Sequence, residues 1–255
     1  MPEGDSVFRA AARLREALDG RVLVRSDFRV PRHATADLSG RRVLETVSRG
    51  KHLLTRVEGG LTVHTHLRMD GSWRIMPPHA RVPGRDQVRL VLATADNQAV
   101  GFKLGMVDLI RTEREDTVVG HLGPDLLGPD WDAELAARNL MRAPERTIGE
   151  ALLDQRNLAG IGTIYRAETL FLRGLWPWRT VGEVAGLAEL DNLEGVVTQA
   201  QRLLAEGARQ RVDRRWVYGR AGRPCRRCGG LISRGEMGAA PQERLILWCG
   251  TCQPR

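Results

Sequence analysis

The sequence predicts a multidomain α+β protein: an N-terminal helix with an antiparallel β-sandwich, then a helical domain, then a C-terminal zinc module. Three patterns carry this prediction. Short alternating apolar runs occupy 21–112, helical periodicities occupy 132–208, and all four cysteines fall within the last 31 residues. The predicted boundaries are 1–120 for the first domain, 128–216 for the helical domain and 217–255 for the zinc module.

The first predicted element is a helix at 5–19, where Asp5 or Ser6 can cap the start and Gly20 ends it. Strands are expected where apolar runs lie between Gly-Gly, Pro-Pro and Asp-Asn breaks. They are predicted at 22–24, 43–47, 53–57, 61–65, 88–93 and 107–110. Helices are predicted at 132–140, 147–157, 163–173, 183–190 and 192–208. Two short strands around 231–232 and 245–248 complete the zinc module.

The cysteines form two pairs, Cys225-x-x-Cys228 and Cys249-x-x-Cys252, separated by 20 residues. This is the spacing of a structural zinc site, in which two knuckles supply four thiolates. Two disulfides or four idle thiols are the alternatives. The chain starts without a secretory signal, which predicts a reducing cytoplasmic setting and favours zinc. Four thiolates leave no open position on the metal, so the site would hold structure rather than catalyse.

The net charge of +8 is concentrated at one end of the chain. Residues 201–255 carry 12 arginines and 4 acidic residues, whereas the rest carries 27 basic and 27 acidic groups. A localised basic region is typical of nucleic-acid binding, with a solvated basic tail as the alternative. No apolar run approaches the length of a membrane span, so a membrane role is excluded.

Amines are scarce in this chain, because Lys51 and Lys103 are the only lysines among 39 basic residues. A lysine can lose its proton and act as a base or nucleophile, whereas arginine keeps its charge. Removal of Met1 would expose a second kind of amine, the secondary amine of Pro2, which is partly neutral at physiological pH and can attack an aldehyde-like carbon. Glu3 beside it can donate or accept a proton. An ordinary chain start with a capping acid is the alternative.

Six motifs occur in one order along the chain. They are Met1-Pro2-Glu3-Gly4-Asp5, residues 50–54 (GKHLL), residues 65–71 (THLRMDG), residues 122–125 (LGPD), Asp154-Gln155 with residues 160–168 (GIGTIYRAE), and residues 217–220 (VYGR). Together they resemble the formamidopyrimidine-DNA glycosylase/endonuclease VIII family, most closely the endonuclease VIII branch of actinobacteria. The resemblance covers nearly the whole chain. It implies a helix–two-turn–helix domain before the zinc finger, and a bacterial, nucleoid-associated glycosylase and lyase that flips oxidised bases out of DNA.

The resemblance implies four catalytic residues. Pro2 would attack C1′ of the deoxyribose and form a Schiff base, and Glu3 would protonate the sugar and shuttle protons during elimination. Lys51 would assist base release and contact phosphate. Arg244, five residues before the third cysteine, would grip the flanking phosphates and assist the second elimination.

The resemblance also implies five DNA contacts. Arg68 and Met69 match residues that fill the gap left by the flipped base, with a core-strand position as the alternative for Met69. His121 matches a DNA-contacting arginine. Gly162 opens a helix whose N–H groups would hold phosphate, and Thr163 replaces the family's asparagine with a shorter side chain that has one donor.

Only about 10 residues separate Glu206 from Val217, where purine-specific relatives carry a long capping loop. A short loop predicts an open pocket, a preference for oxidised pyrimidines, and activity on single-stranded as well as double-stranded DNA. A monomer is expected. Two alternatives remain: a catalytically weak paralogue that only binds damaged DNA, suggested by Thr163, and a zinc-ribbon DNA-binding regulator, favoured by composition alone.

Overall fold

The computed structural model describes residues 2–187, 192–210 and 215–255, with the side chains of Arg85 and Asn192 left aside. Its contacts divide the chain into two compact units, Met1–His121 and Leu122–Arg255. The α+β class is confirmed, with antiparallel sheets in the first unit and helices plus a hairpin in the second. The three-part division of the sequence stays a prediction. Within the described ranges, every helix is too short or too polar to traverse a bilayer.

The first unit opens with a helix and continues as strands. Its elements are α1 (Gly4–Leu18), β1 (Arg25–Phe28), β2 (Val43–Arg49), β3 (His52–Val57), β4 (Leu61–His66), β5 (Ser72–Met76), β6 (Val88–Ala93), β7 (Gln98–Phe102), β8 (Met106–Arg111) and α2 (Asp116–Val119). The strands form two antiparallel four-stranded sheets, in the orders β1-β6-β7-β5 and β2-β3-β4-β8. Short 3-10 turns lie at Pro31–His33, Arg85–Gln87 and Thr112–Arg114.

One hydrophobic core joins α1 to both sheets of the first unit. The helix contributes apolar residues at helical spacing, including Val7, Leu14 and Leu18, and alternate strand positions such as Val63 and Leu92 face them. Because side chains alternate along a strand, the other face of β3 and β4 carries polar and histidine side chains. That face positions the candidate site of this unit.

The second unit contains α3 (Ala133–Leu140), α4 (Ile148–Ala151), α5 (Thr163–Leu172), α6 (Val181–Ala185), α7 (Asn192–Arg209), β9 (Ile232–Met237) and β10 (Arg244–Cys249). One core packs α3, α6 and α7 around Leu170 of α5. A second core packs Ala167 and Phe171 of α5 against Ile232 and Ile246 of the β9–β10 hairpin. Helix α5 is therefore shared by both cores.

Several predicted boundaries need correction. The first helix begins at Gly4 with Glu3 as its N-cap, rather than with Asp5 or Ser6. The strand expected at 22–24 is a single bridge at Val22, followed by β1. Strands β5 and β7 were not predicted, because their short sequences contain Ser, Arg, Gln and Gly and lack a clear alternating run.

The helix expected at 147–157 ends at Ala151. Beyond it, Asp154 Oδ1 accepts the Arg156 N–H at 3.1 Å and the Asn157 side chain donates to the Ala151 carbonyl at 2.9 Å, so local side chains replace helical bonds. The helix expected at 183–190 covers only Val181–Ala185, and residues 188–190 lie outside the described ranges.

Candidate active site and metal centre

The start of α1 places Pro2 and Glu3 at the positive end of a helix. The Glu3 carbonyl accepts the N–H groups of Ser6 at 3.0 Å and Val7 at 3.1 Å, so Glu3 is the N-cap residue, but its carboxylate makes no capping bond. Glu3 is only 1% exposed, whereas Pro2 is partly exposed. Removal of Met1 would therefore place the Pro2 amine where the helix dipole favours a neutral nitrogen and stabilises a carboxylate.

Lys51 lies in the tight turn between β2 and β3. Gly50 adopts a left-handed φ of 57° there, a conformation that suits glycine, and Arg49 pairs with His52 across the turn. Lys51 is half-buried and its charge contributes to lowering the pKa of His66, which places it near the end of β4.

The segment after β4 forms a protruding turn that carries Arg68 and Met69. Met69 is 62% exposed, so it is not a core-strand residue. Arg68 adopts a left-handed φ of 54°, which is uncommon for a residue with a side chain. His66 Nδ1 accepts the Arg68 N–H at 2.8 Å, and the Gly71 N–H closes the turn on the Leu67 carbonyl at 2.9 Å. An apolar side chain is thus held out in solvent by a defined backbone.

His121 is exposed at the end of the first unit, and its charge contributes to lowering the pKa of His52. The structure thus brings His121, Lys51 and Arg68 around the ends of β3 and β4.

In the second unit, the turn before α5 is organised by Gln155. Its side-chain carbonyl accepts the Gly160 N–H at 3.0 Å and its amide donates to the Ile161 carbonyl at 3.1 Å. Gly160 has a φ of 104° and Gly162 is the N-cap of α5, without a capping side chain. Thr163 is buried, and its Oγ1 has no hydrogen-bond partner. A buried hydroxyl is poorly placed to contact phosphate directly.

Arg244 is the first residue of β10, directly after the 238–243 turn, and it is exposed. It lines a cavity of about 620 Å³ together with Arg146, Asp154 and Arg156. Hydrogen bonds from Arg156 at 2.7 Å and Arg146 at 2.9 Å hold the pKa of Asp154 well below its usual range despite partial burial. With Arg166 and Glu150 also in the lining, four arginines face two carboxylates, which leaves this cavity suited to anions.

The four cysteine sulfurs all lie within 4.8 Å of one another. The Cys225–Cys252 sulfur distance is 3.9 Å and the Cys228–Cys249 distance is 3.4 Å. Four thiolates around one zinc at roughly 2.3 Å would be roughly 3.8 Å apart, so this cluster fits the ion. Burial raises the pKa of Cys252 to about 12, while the Gly230 N–H lowers the pKa of Cys228 to about 7. A bound cation would favour the thiolate at all four positions.

Three buried polar anchors hold the cysteine hairpin and the segment before it. Arg166 of α5 is completely buried and donates to the Leu245 carbonyl at 2.6 Å, next to Arg244. Glu168 accepts three backbone N–H groups, from Trp216 at 2.7 Å, Val217 at 3.0 Å and Tyr218 at 2.8 Å. Gln253 is also buried. Its side chain accepts the Cys249 N–H at 3.0 Å and donates to the Leu175 carbonyl at 2.8 Å.

Sequence reasoning quoted Gln155, Arg166 and Glu168 within a motif but gave them no role, and it missed Gln253. The available signal was a charged pair inside an otherwise apolar helical stretch, since a buried charge requires several hydrogen-bond partners.

Comparison with known proteins agrees with this architecture. Residues 1–123 match the formamidopyrimidine-DNA glycosylase N-terminal domain, and residues 122–213 match the formamidopyrimidine-DNA glycosylase H2TH domain. A Streptomyces coelicolor protein named "Probable endonuclease 8 2" is 55% identical over 264 residues, covering 99% of this chain and 94% of the relative. A Mycolicibacterium smegmatis protein named "DNA-(apurinic or apyrimidinic site) lyase Nei2" is 45% identical over 263 residues, covering 99% of each.

Among solved structures, the Lactococcus lactis Fpg in complex with abasic-site DNA has a TM-score of 0.84 at 23% identity, over 99% of this chain and all of that one. A complex of MutM with carbocyclic 8-oxo-G DNA has a TM-score of 0.84 at 22% identity, over the full length of both chains. These structures establish the fold, and the matches to the two domains and to the actinobacterial proteins establish the relationship. The chain belongs to the formamidopyrimidine-DNA glycosylase/endonuclease 8 family of DNA repair glycosylases and abasic-site lyases.

Proposed function

We propose that this protein removes oxidised bases from DNA and then nicks the strand, with the amine of Pro2 as its nucleophile. The observation that carries the proposal is the position of Pro2 at the positive end of α1, directly before the buried Glu3. The amine attacks C1′, the glycosidic bond breaks, and the base leaves with a proton. Protonation of O4′ then breaks the C1′–O4′ bond and gives a ring-opened iminium, which acidifies C2′ and allows the 3′ phosphate to leave by β-elimination. Glu3 is the proton donor to the sugar and the proton shuttle.

Lys51 and Arg244 complete the proposed catalytic set. Lys51 is a half-buried amine beside the β4 end, where it would assist base release and contact phosphate. Arg244 lines an arginine-rich cavity, where its planar guanidinium can hold a phosphate through two hydrogen bonds and assist a second elimination. Zinc bound by the four cysteines would make the β9–β10 hairpin rigid. Arg244 is the first residue of β10, so the metal would help to fix its position.

Damaged DNA is the proposed partner, held by two kinds of contact. Met69 has the exposure and the fixed backbone of an apolar wedge that replaces a flipped base, with Arg68 and His121 beside the same strand ends. The start of α5 at Gly162 is suited to phosphate through its backbone, rather than through the buried Thr163 hydroxyl. We propose that the protein acts as a monomer in the bacterial cytoplasm, where the four unpaired cysteines stay reduced.

Oxidised pyrimidines are the proposed lesions. The motivation is the short connection between Glu206 and Val217. In the structure α7 continues to Arg209, which shortens that connection further, and residues 211–214 lie outside the described ranges. A panel of duplex and single-stranded oligonucleotides that each carry one oxidised pyrimidine or purine tests this choice, and faster excision of oxidised guanine would contradict it.

Borohydride trapping on DNA that contains one abasic site tests the mechanism. Reduction of the iminium should give a covalent protein–DNA adduct, which Pro2→Gly should abolish or strongly reduce. Pro83→Gly, a change at an exposed loop proline, is the matched control and should trap normally. A tag placed before Pro2 should also abolish trapping. Normal trapping by the tagged protein would show that another amine is the nucleophile.

A catalytically weak DNA-binding paralogue is the second candidate, because the Thr163 hydroxyl is buried where the family has an asparagine. The same assay separates the two. Tight binding of abasic-site DNA by correctly processed, zinc-loaded protein, with no adduct formed, would favour the paralogue.

A further inference from the structure

Three histidines lie together on the face of β3 and β4 opposite the hydrophobic core of the first unit. We call them the histidine cluster: His52, His64 and His66. His52 and His66 are direct partners in the antiparallel register, and His64 lies two residues before His66 on the same face. The His52 and His64 rings stack with centroids 5.1 Å apart and planes at 19°, and His52 Nδ1 is 2.8 Å from His64 Nε2. The His66 ring meets His52 edge-on at 5.1 Å.

The hydrogen bonds assign a proton to each ring. His66 Nδ1 accepts the Arg68 N–H at 2.8 Å, so the neutral His66 ring must carry its proton on Nε2. His64 Nδ1 is buried without a partner, and a proton there would leave a buried donor unsatisfied. His64 therefore carries its proton on Nε2 and donates to His52 Nδ1. One tautomer, Nε2–H, therefore fits all three rings, with His64 Nδ1 as the one ring acceptor among these contacts that has no partner.

The surroundings favour the neutral forms. Burial, followed by the charges of Arg68 and Lys51 and by His64, lowers the pKa of His66 to about 4. Burial, His66, His64, His121 and Arg68 lower the pKa of His52 to about 3. Burial also lowers the pKa of His64, although Asp108 and Glu115 oppose the effect. Asp108 itself is bound to His33 at 2.6 Å.

The turn that depends on His66 is the one with the exposed methionine. Besides the His66 Nδ1 bond, the Gly105 N–H donates to the His66 carbonyl at 3.0 Å. The Arg68 side chain lies so close to Gly105 that an added Cβ there would collide with it. These contacts stabilise the left-handed backbone of Arg68, a conformation that is disfavoured for residues with a side chain.

We propose that His52 and His64 are positioning residues that shield His66 from water and keep it neutral as the Nε2–H tautomer, so that its Nδ1 fixes the Arg68–Met69 turn. The proposal rests on the proposed function in one respect, the entry of Met69 into DNA. Protonation of His66 would place an N–H opposite the Arg68 N–H, break that bond and release the turn. A histidine with an ordinary pKa would become partly protonated near neutral pH and would break this bond. The cluster prevents it.

Nuclear magnetic resonance tests the cluster without any DNA. Long-range ¹H–¹⁵N spectra of the intact protein should show the three rings as Nε2–H tautomers, and the His52 and His66 rings should stay neutral from pH 8 down to 5. In His52→Ala, water reaches His66, so its titration should move upward toward the ordinary histidine range, and the Arg68 amide should exchange faster below that point. His52→Phe keeps a ring over His66 and should restore the wild-type titration. His79→Ala, a change at an exposed loop histidine, is the control and should alter nothing.

Trapping kinetics on abasic-site DNA supply the functional readout. In wild type, protonation of His66 should make no contribution to the pH dependence of the half-saturating DNA concentration between pH 8 and 5. In His52→Ala it should rise about fivefold as the pH falls to 5, the effect of one lost hydrogen bond of about 1 kcal/mol. The trapping rate at saturating DNA should follow wild type. A purely structural defect would instead lower the fraction of active protein at every pH.

Two results would overturn the proposal. One is a wild-type His66 that titrates near its ordinary value or carries its proton on Nδ1. The other is a His52→Ala protein in which His66 and the Arg68 amide are unchanged. If wild type traps no DNA at all, the proposed function fails, while the tautomers and amide exchange still decide the role of the cluster.

Discussion

Glu168→Gln should destabilise the second unit by about 3 kcal/mol. The wild-type carboxylate accepts the Val217 and Tyr218 N–H groups on Oε1 and the Trp216 N–H on Oε2, all within 3.0 Å. Glutamine can present its one carbonyl oxygen to the first two, but each bond then loses the charge assistance, about 1 kcal/mol apiece. The amide nitrogen would face the Trp216 N–H, so the third bond is lost at a further cost of about 1 kcal/mol.

Urea unfolding followed by tryptophan fluorescence measures this change. Five of the six tryptophans lie in the second unit, and Trp216 itself stacks on Phe171 at 5.5 Å, so the signal reports the anchored segment. Glu134→Gln is the control, since Glu134 is exposed and pairs with Arg138 one helical turn away; it should shift the free energy by less than about 0.5 kcal/mol. A Glu168→Gln effect below about 1 kcal/mol would refute the view that the buried carboxylate anchors residues 216–218.

Three further predictions concern other parts of the molecule. Burial opposes ionisation of Glu115, but hydrogen bonds from Arg56 and Thr62 outweigh this effect and lower its pKa. The ionised carboxylate therefore stabilises the folded state above the unfolded-state pKa of about 4.3, and this stabilisation is lost as the pH falls through the lower folded-state pKa. Unfolding free energies from pH 6 to 3 should therefore fall less in Glu115→Gln than in wild type; parallel curves would contradict this. Thr163→Val should change the unfolding free energy by less than about 1 kcal/mol and leave DNA affinity intact, because the hydroxyl has no partner; a clear loss in a DNA-binding titration would show that it reaches phosphate. Chelation of the zinc should weaken DNA binding before it lowers the trapping rate at saturating DNA, and an apo-protein with unchanged DNA affinity would refute this division.

Local pattern predicted much of the fold. The first helix, the strands with alternating apolar residues and the cysteine pairs are legible because each depends on near neighbours in the chain. Strand β1 is not, because its polar sequence Arg25–Phe28 becomes a strand only by pairing with β6, more than 60 residues later. Helix α4 is short because Asp154 and Asn157 offer the backbone other partners, a competition that periodicity alone does not reveal.

The candidate site divides in the same way. Pro2, Lys51 and the cysteines could be named from chemistry and order in the sequence. The anchors could not, since Glu168 and its three partners are 48 to 50 residues apart and the role of a buried carboxylate emerges only with its donors. The histidine cluster also needed the strand register, because only pairing places His52 opposite His66.

Almost no face of helix α5 is exposed to solvent, since eight of its ten residues are buried. Its amides should consequently be among the slowest in the molecule to exchange with deuterium, opening only when the second unit unfolds as a whole. Gly162, the N-cap residue of this helix, should be equally rigid. A ligand that binds there meets a surface arranged in advance, so little ordering entropy opposes association. Adjustment to differently bent DNA must then come from elements that are less deeply enclosed.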